Sequence, residues 1–191
     1  MMKSKGTLFI ISGPSGVGKG TLCKAIKDLG NLVFSVSCTT RPSREGEIDG
    51  VHYKFLSLEE FNAKLEMSLF LEHASVHGNM YGTLYSDVES ALESGSDVIL
   101  EIDVQGAFQV KSKMKCISVF ILPPSIEELG NRLRGRGTDN NEKIELRLKN
   151  AEYEISRSGE FDHCIVNDSL FHTIYELKKI IIDYRNILRG D

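Results

Sequence analysis

A run of seven residues, Gly13-Pro14-Ser15-Gly16-Val17-Gly18-Lys19, places the strongest constraint on what this chain can fold into. We call it the glycine loop. It follows a short apolar run at residues 8–11 and precedes a helical pattern at residues 22–29. The spacing Gly-x-x-x-x-Gly-Lys between a strand and a helix is typical of a loop that binds the phosphates of a nucleotide.

Such a loop binds phosphate because glycines let the backbone pass close to an anion and present its N–H groups to it. The helix that follows adds the positive end of its dipole. We expect Lys19 to reach the β- and γ-phosphates as a mobile point charge. The next position usually carries a Ser or Thr hydroxyl for Mg²⁺, but here it is Gly20, so either Thr21 or water would complete the metal shell.

Apolar runs alternate with helical patterns along the rest of the chain. The runs at residues 8–11, 98–102 and 117–122 have the length and β-branched content of buried strands, and residues 32–36 and 164–166 are weaker candidates. Ser57 with Glu60 and Ser125 with Glu128 have the spacing of capping boxes that open helices. Apolar residues from Leu170 to Leu188 recur at steps of four and three, which predicts an amphipathic helix. The alternation predicts an α/β domain with a parallel central sheet.

Two polar segments interrupt this alternation. Residues 37–86 are rich in Gly, Arg, Tyr and Glu, and residues 132–147 contain closely spaced arginines and glycines. Long polar insertions in a compact domain are usually functional or disordered. We interpret both segments as insertions on the core.

Two carboxylates, Glu101 and Asp103, close the apolar run at residues 98–102. Strand alternation places them on one side of the sheet, at the end where α/β folds bind ligands. They could hold Mg²⁺ or its waters, or accept hydrogen bonds from a substrate. Asp103 and Gly106 also match the Asp-x-x-Gly switch motif of GTPases, although the sequence contains no Asn-Lys-x-Asp motif for guanine.

Length and composition limit the remaining possibilities. The 191 residues fit one compact domain, and the net charge of −4 argues against nucleic acid as a partner. The four cysteines are far apart, which disfavours a zinc site or a disulfide framework and predicts a cytoplasmic location. The sequence has no apolar run long enough for a membrane span. Monomer and homodimer both remain open.

The chain resembles the guanylate kinases along nearly its whole length. Two segments are especially typical of that family: Ser37-Cys38-Thr39-Thr40-Arg41-Pro42-Ser43-Arg44 followed by Gly46-Glu47, and Val76-His77-Gly78-Asn79-Met80-Tyr81-Gly82-Thr83. The resemblance implies a P-loop NTPase core with a parallel central sheet flanked by helices, plus two insertions. The implied core is residues 1–36, 87–127 and 148–191, with a GMP-binding insertion at residues 37–86 and a lid at residues 128–147.

The resemblance also implies roles for individual residues. The phosphate of GMP would be bound by Ser37, Arg41, Arg44, Tyr53 and Tyr81. Guanine would be recognised by Glu72, Thr83 and Asp103. ATP would be bound by Gly13, Pro14, Ser15, Gly16, Val17, Gly18, Lys19, Gly20, Thr21 and Asn167. The transferring phosphoryl group would be stabilised by Lys19, Arg41, Arg136 and Arg147. From the glycine loop and the strand end, rather than from the resemblance, we expect Mg²⁺ to accompany ATP at Thr21 and Glu101, directly or through water.

These implications predict ATP-dependent phosphorylation of GMP or dGMP by in-line transfer. Three alternatives stay open at the level of sequence. The Gly-Lys-Gly-Thr form of the loop resembles adenylate kinases, so another nucleoside monophosphate kinase is one of them. The others are a guanylate kinase-like binding module without catalysis and a GTPase.

Overall fold

The computed structural model describes residues 4–76, 78–135, 137 and 139–189. Its strands in chain order are β1 Leu8–Ser12, β2 Leu32–Phe34, β3 Cys38–Thr39, β4 Lys54–Phe55, β5 Phe70–Val76, β6 Asn79–Leu84, β7 Asp97–Glu101, β8 Ile117–Leu122 and β9 His163–Val166. Its helices are α1 Lys19–Ala25, α2 Leu58–Glu66, α3 Tyr85–Glu93, α4 Val104–Lys113, α5 Ile126–Gly135, α6 Asn141–Ser156 and α7 Leu170–Arg189.

Five strands form the main sheet, in the order β2-β7-β1-β8-β9. The pairs β2–β7, β1–β8 and β8–β9 are parallel. Parallel strands need crossover connections, which helices supply here. The predicted α/β class with a parallel central sheet flanked by helices is confirmed.

The chain divides into two compact units, and the first comprises Met1–Leu8, Asn31–Leu100 and Gln105–Cys116. It contains a second sheet of four strands, in the order β4-β3-β6-β5. The rings of Phe61 and Phe70 stack with centroids 4.4 Å apart and, with buried Cys38, form the apolar core beneath this sheet. The segment predicted as an insertion thus has its own sheet and core.

The second unit comprises Phe9–Gly30, Glu101–Val104 and Ile117–Asp191. Strands β1 and β8 are almost entirely buried, as their continuous apolar sequences predict. The predicted C-terminal helix is α7, whose apolar stripe buries Leu177 and Ile181 but leaves Leu170 and Leu188 half exposed. The stripe therefore contributes to the core mainly through the middle of the helix.

Helix boundaries differ from the sequence pattern at α1. The helix begins at Lys19 because Gly18, with φ of 107°, turns the chain directly into it. It ends at Ala25, since Lys27 and Leu29 donate to carbonyls three residues back and tighten the last turn. The apolar pattern at residues 22–29 therefore extends beyond the end of α1 into the turns that follow it.

No helix in the described part of the chain combines the length and the apolar character that a membrane crossing needs.

Candidate functional site

The glycine loop has a backbone that only glycine adopts without strain. Gly13, Gly16 and Gly18 have φ values of 140°, 90° and 107°. A Cβ atom at Gly13 would lie 2.4 Å from the carbonyl oxygen of Ile121 in β8. Glycine is therefore required here both for the left-handed backbone and for the close approach to β8.

Lys19 begins α1, and its ammonium group folds back over the glycine loop. Its Nζ donates to the carbonyl oxygens of Gly13 and, at 3.2 Å, of Pro14. These two hydrogen bonds connect the end of the loop to its beginning. Lys19 and the loop are predicted to bind phosphate together.

Three carboxylates act electrostatically on Lys19. Burial lowers the pKa of the lysine, and the negative charges of Glu101, Glu154 and Asp103 oppose that effect. Glu101 is the last residue of β7 and Asp103 lies two residues further on, so both acids at the end of this strand act on Lys19. The negative charges of the cluster thus partly offset the cost of burying the ammonium group.

Glu101 supplies the oxygen atoms nearest to Gly20, which follows the glycine loop at the position where a Ser or Thr is usual. A Cβ atom at Gly20 would lie 3.6 and 3.7 Å from its two carboxylate oxygens, and the thiol of Cys23 is hydrogen-bonded to it. Thr21 is exposed. Within the described ranges, no cluster of three or more His, Cys, Asp or Glu side chains could hold a metal alone. A carboxylate beside a phosphate-binding loop suits Mg²⁺, which is usually held by one or two carboxylates and the substrate phosphates.

Arg147, on α6, reaches the glycine loop. Its guanidinium lies 3.4 Å from the hydroxyl of Ser15 and 3.3 Å from the carboxylate of Asp139. Its Nε is buried and has no hydrogen-bond partner in the described part of the chain. The other predicted lid arginine, Arg136, lies outside the described residues.

Arg132 and Asn167 fix the backbone of the glycine loop from outside. The Asn167 amide donates to the carbonyl oxygen of Val17 at 2.8 Å. Arg132 reaches the same oxygen at 3.5 Å and donates to the Asn167 carbonyl at 3.0 Å. Sequence reasoning assigned Asn167 to the ATP site but missed Arg132, whose only local signal is its pairing with Glu128, four residues earlier.

The sequence-based prediction also left out Glu154, a carboxylate of α6 that acts on Lys19. Burial raises its pKa to about 7, with Lys19 acting in the opposite direction and Asp103 in the same one. Its Oε2 is buried and lacks a hydrogen-bond partner among the described residues. Seven residues separate it from Arg147, which places both on one face of α6, and that spacing could have identified it.

The first unit contains a buried acid paired with a buried hydroxyl. Glu72 in β5 is 4% exposed and lies opposite Thr83 of β6. The Thr83 hydroxyl donates to Glu72 Oε1 at 2.6 Å. The structure thus brings together two of the three residues predicted to recognise guanine. The third, Asp103, belongs to the second unit, beside Lys19 and Glu154.

Arg41 is oriented by an acid that the site prediction left out. Its guanidinium donates to both oxygens of Glu47, at 2.8 and 3.0 Å, and to the Pro42 carbonyl at 2.7 Å. The same carboxylate accepts from the backbone N–H of Arg44 at 2.7 Å. The sequence signal for Glu47 is the Gly46-Glu47 motif, which does not by itself indicate a contact with Arg41.

Two tyrosines lie beside Arg41. The Arg41 guanidinium is 5.5 Å from the centre of the Tyr53 ring and shares a hydrogen bond with Tyr81. The two rings meet edge to face, with centroids 6.0 Å apart. Ser37 precedes β3, and its carbonyl accepts from the Lys54 N–H at 2.9 Å, which ties it to the segment that follows Tyr53. The structure therefore brings Arg41, Tyr53 and Tyr81 together.

Comparisons with known proteins agree on one family. The profile described as guanylate kinase matches residues 5–184. The chain is 51% identical to the guanylate kinase of Clostridium tetani over 178 residues, covering 93% of this chain and 86% of that protein. It is 50% identical to the guanylate kinase of Alcanivorax borkumensis over 182 residues, covering 94% and 88%. The crystal structure of guanylate kinase from Anaplasma phagocytophilum superposes with a TM-score of 0.76 at 36% identity, covering 96% of this chain and 88% of that one.

Proposed function

The chain belongs to the guanylate kinase family, and we propose from this premise that it transfers the γ-phosphoryl group of ATP to GMP or dGMP. The products are ADP and GDP or dGDP. The observation that carries the choice of substrate is the buried pair formed by Glu72 and Thr83.

Guanine matches this pair chemically. Its N1–H and N2–H₂ groups are donors that a carboxylate accepts, and its O6 is an acceptor for a hydroxyl. Adenine presents a bare acceptor at N1, which would face the Glu72 carboxylate with no proton between them. Leaving buried polar groups unpaired costs about 1–3 kcal/mol each, and more for a charged group, so AMP is disfavoured.

The phosphates of the two substrates have separate cationic partners. Arg41, oriented by Glu47 and flanked by Tyr53 and Tyr81, is proposed to bind the GMP phosphate together with Ser37 and Arg44. The fork of an arginine suits two phosphate oxygens at once. The backbone of the glycine loop with Lys19 is proposed to bind the ATP phosphates, with Asn167 supporting the loop.

Phosphoryl transfer depends on alignment and charge stabilisation rather than on covalent catalysis. An oxygen of the GMP phosphate attacks the γ-phosphorus in line, and ADP leaves. The attacking group is already an anion, so no general base is needed. Lys19, Arg41, Arg136 and Arg147 are proposed to stabilise the charge of the transition state. We also propose that residues 37–86 and 128–147 act as the GMP-binding insertion and the lid, excluding water from the reaction.

Mg²⁺ is proposed to accompany ATP, held by Glu101 and by Thr21, directly or through water. The ion supplies charge neutralisation at the phosphates when it is bound. The position of the Glu101 carboxylate beside Gly20 supports this assignment, because it offers an oxygen ligand where the usual hydroxyl is missing.

A cytoplasmic location is proposed as well. None of the four cysteines forms a disulfide, and two of them, Cys23 and Cys38, are buried in their units. Free thiols are typical of a reducing compartment. We propose no nucleic acid partner, and either a monomer or a homodimer.

A panel of nucleotides tests the proposed function. Purified protein is incubated with ATP and Mg²⁺ and with GMP, dGMP, AMP, UMP or CMP, and ADP and the new diphosphate are both quantified. We expect one ADP per GDP formed with GMP, and turnover with dGMP. Preference for AMP would indicate an adenylate kinase instead. GMP binding without turnover would indicate a binding module, and hydrolysis of GTP alone a GTPase.

A further inference from the structure

Strand β5 changes register at the place where it carries Glu72. Phe70 lies opposite Leu84, but Glu72 lies opposite Thr83, so two residues of β5 advance for one of β6. In a regular antiparallel ladder starting from Phe70, Leu71 would lie opposite Thr83 and Glu72 opposite Gly82. The shift is therefore what brings the Glu72 carboxylate to the Thr83 hydroxyl.

Such a shift needs other partners for the backbone, because the extra residue disturbs the ladder. Strand β5 is also last in the order of its sheet. Two side chains of α4 supply hydrogen bonds along it. Lys113 Nζ donates to the carbonyl oxygens of Leu71 at 2.7 Å and of Phe70 at 3.3 Å, the two residues at the shift.

Gln109 makes the second set of contacts, on the other side of Glu72. Its amide oxygen accepts from the backbone N–H of His73 at 3.0 Å, and its amide nitrogen donates to the His73 carbonyl at 2.7 Å. This is the pair of bonds that a neighbouring strand would make. Gln109 and Lys113 are four residues apart, hence on one face of α4.

We infer that Gln109 and Lys113 are positioning residues for recognition of the guanine base. They hold residues 70, 71 and 73, which flank Glu72, in the shifted register that aims its carboxylate. A slip of one residue would move the β5 side chains to the opposite face. The inference rests on the proposed function, in which Glu72 binds the base, and it goes beyond it by naming residues outside the base-binding pair that set specificity.

The test compares single variants by steady-state kinetics. Lys113→Met removes the donors and keeps the apolar stem, and Lys113→Arg keeps donors. Gln109→Glu keeps the acceptor for the His73 N–H and loses the donor to its carbonyl. We expect Lys113→Met and Gln109→Glu to raise the KM for GMP by roughly 3- to 10-fold, the range of one or two lost hydrogen bonds. The KM for ATP should stay within about 2-fold, since the ATP site is not part of this contact.

Lys115→Met is the matched control, because Lys115 is an exposed lysine two residues beyond Lys113. Lys115→Met should leave both KM values unchanged. Lys113→Arg should retain most of the wild-type affinity for GMP. Thermal unfolding of each variant confirms that it is folded at the assay temperature. A Lys113→Met variant that melts earlier but keeps the KM for GMP of the control would overturn the inference and leave the proposed function standing.

Glu72→Gln distinguishes a failure of the proposed base recognition from a failure of the proposed positioning role. If it raises the KM for GMP and not that for ATP, Glu72 binds the base. Adding Lys113→Met to Glu72→Gln should then change the KM for GMP by less than about 2-fold, because both changes remove the same interaction. Full additivity of the two effects would overturn the inference. An unchanged KM for GMP in Glu72→Gln alone would overturn the proposed base recognition and the inference with it.

Discussion

The ammonium group of Lys19 donates hydrogen bonds to the backbone of the glycine loop. Its ammonium contacts the carbonyl oxygens of Gly13 and Pro14 and faces three carboxylates. A phosphate can replace the carbonyls as a partner with a full negative charge. These contacts place the ammonium group at the loop that is proposed to bind the phosphates.

Lys19→Met should lower kcat by about 10²–10³-fold, the effect of removing one donor to a developing negative charge. Lys24→Met is the matched control, because Lys24 is exposed in the last turn of the same helix. Initial rates at saturating ATP and GMP give kcat, and a thermal melt shows whether the fold is intact. Equal rates in the two variants would exclude Lys19 from the chemistry.

Glu154 should make stability depend on pH. Its ordinary pKa is 4.5 and its folded value about 7, so folding takes up a proton between these pH values. The free energy of unfolding contributed by this group therefore falls as the pH rises through that window. Glu154→Gln, neutral throughout, should be no more stable than the wild type near pH 4 and should gain on it towards pH 8.

Urea unfolding at a series of pH values measures this difference. Glu152→Gln is the control, because Glu152 is exposed on the same helix and should show no such trend. A constant difference between Glu154→Gln and the wild type across the series would contradict the assignment of the buried proton to Glu154.

At the scale of the element, the stability of α2 depends on the hydrogen bonds that cap its first turn. Ser57 Oγ accepts from the Glu60 N–H at 3.1 Å, and the Glu60 carboxylate accepts from the Ser57 N–H at 2.7 Å. Ser57→Ala should cost about 0.5–2 kcal/mol of unfolding free energy, whereas Ser57→Asn should cost little. Urea unfolding checks both. Equal losses in the two variants would mean that the hydroxyl does not stabilise the helix.

Elements with strong local patterns could be predicted from the sequence. The apolar runs gave β1, β7 and β8 within a residue of their ends, and the spacing of Ser57 and Glu60 gave the start of α2. The four-stranded sheet was not predicted in detail. Its strands β3 and β4 are two residues each and are defined by pairing with distant segments rather than by any local period.

The candidate site likewise contains residues that could be predicted from the sequence and residues that could not. The glycine loop is a contiguous motif whose backbone follows from its glycines, so it could be identified directly. Arg132 contacts Val17 across 115 residues, and Lys113 contacts Leu71 across 42. Contacts of this kind arise only when the fold brings segments together, and an arginine or lysine in isolation carries no sign of its partner.

At the scale of the whole molecule, the chain must bind two anionic nucleotides with a net charge of −4. The proposed phosphate partners are therefore short-range groups: Arg41 and Arg44 in one unit, and Lys19 and Arg147 in the other. Acids accompany these cations, as Glu47 accompanies Arg41 and Asp139 accompanies Arg147. These ion pairs orient the guanidinium groups of the two arginines.

Binding of GMP should accordingly stabilise the whole chain. At one hundred times its Kd, a ligand specific for the folded state adds about 2.7 kcal/mol to the free energy of unfolding. For a chain of this size that corresponds to a rise in Tm of roughly 5–10 °C. The same concentration of AMP should raise Tm by less than about 1 °C, because its N1 acceptor opposes Glu72. Differential scanning calorimetry of the wild type and of Glu72→Gln measures both ligands. Equal shifts for AMP and GMP in the wild type, or an undiminished GMP shift in Glu72→Gln, would show that the Glu72–Thr83 pair does not select the base.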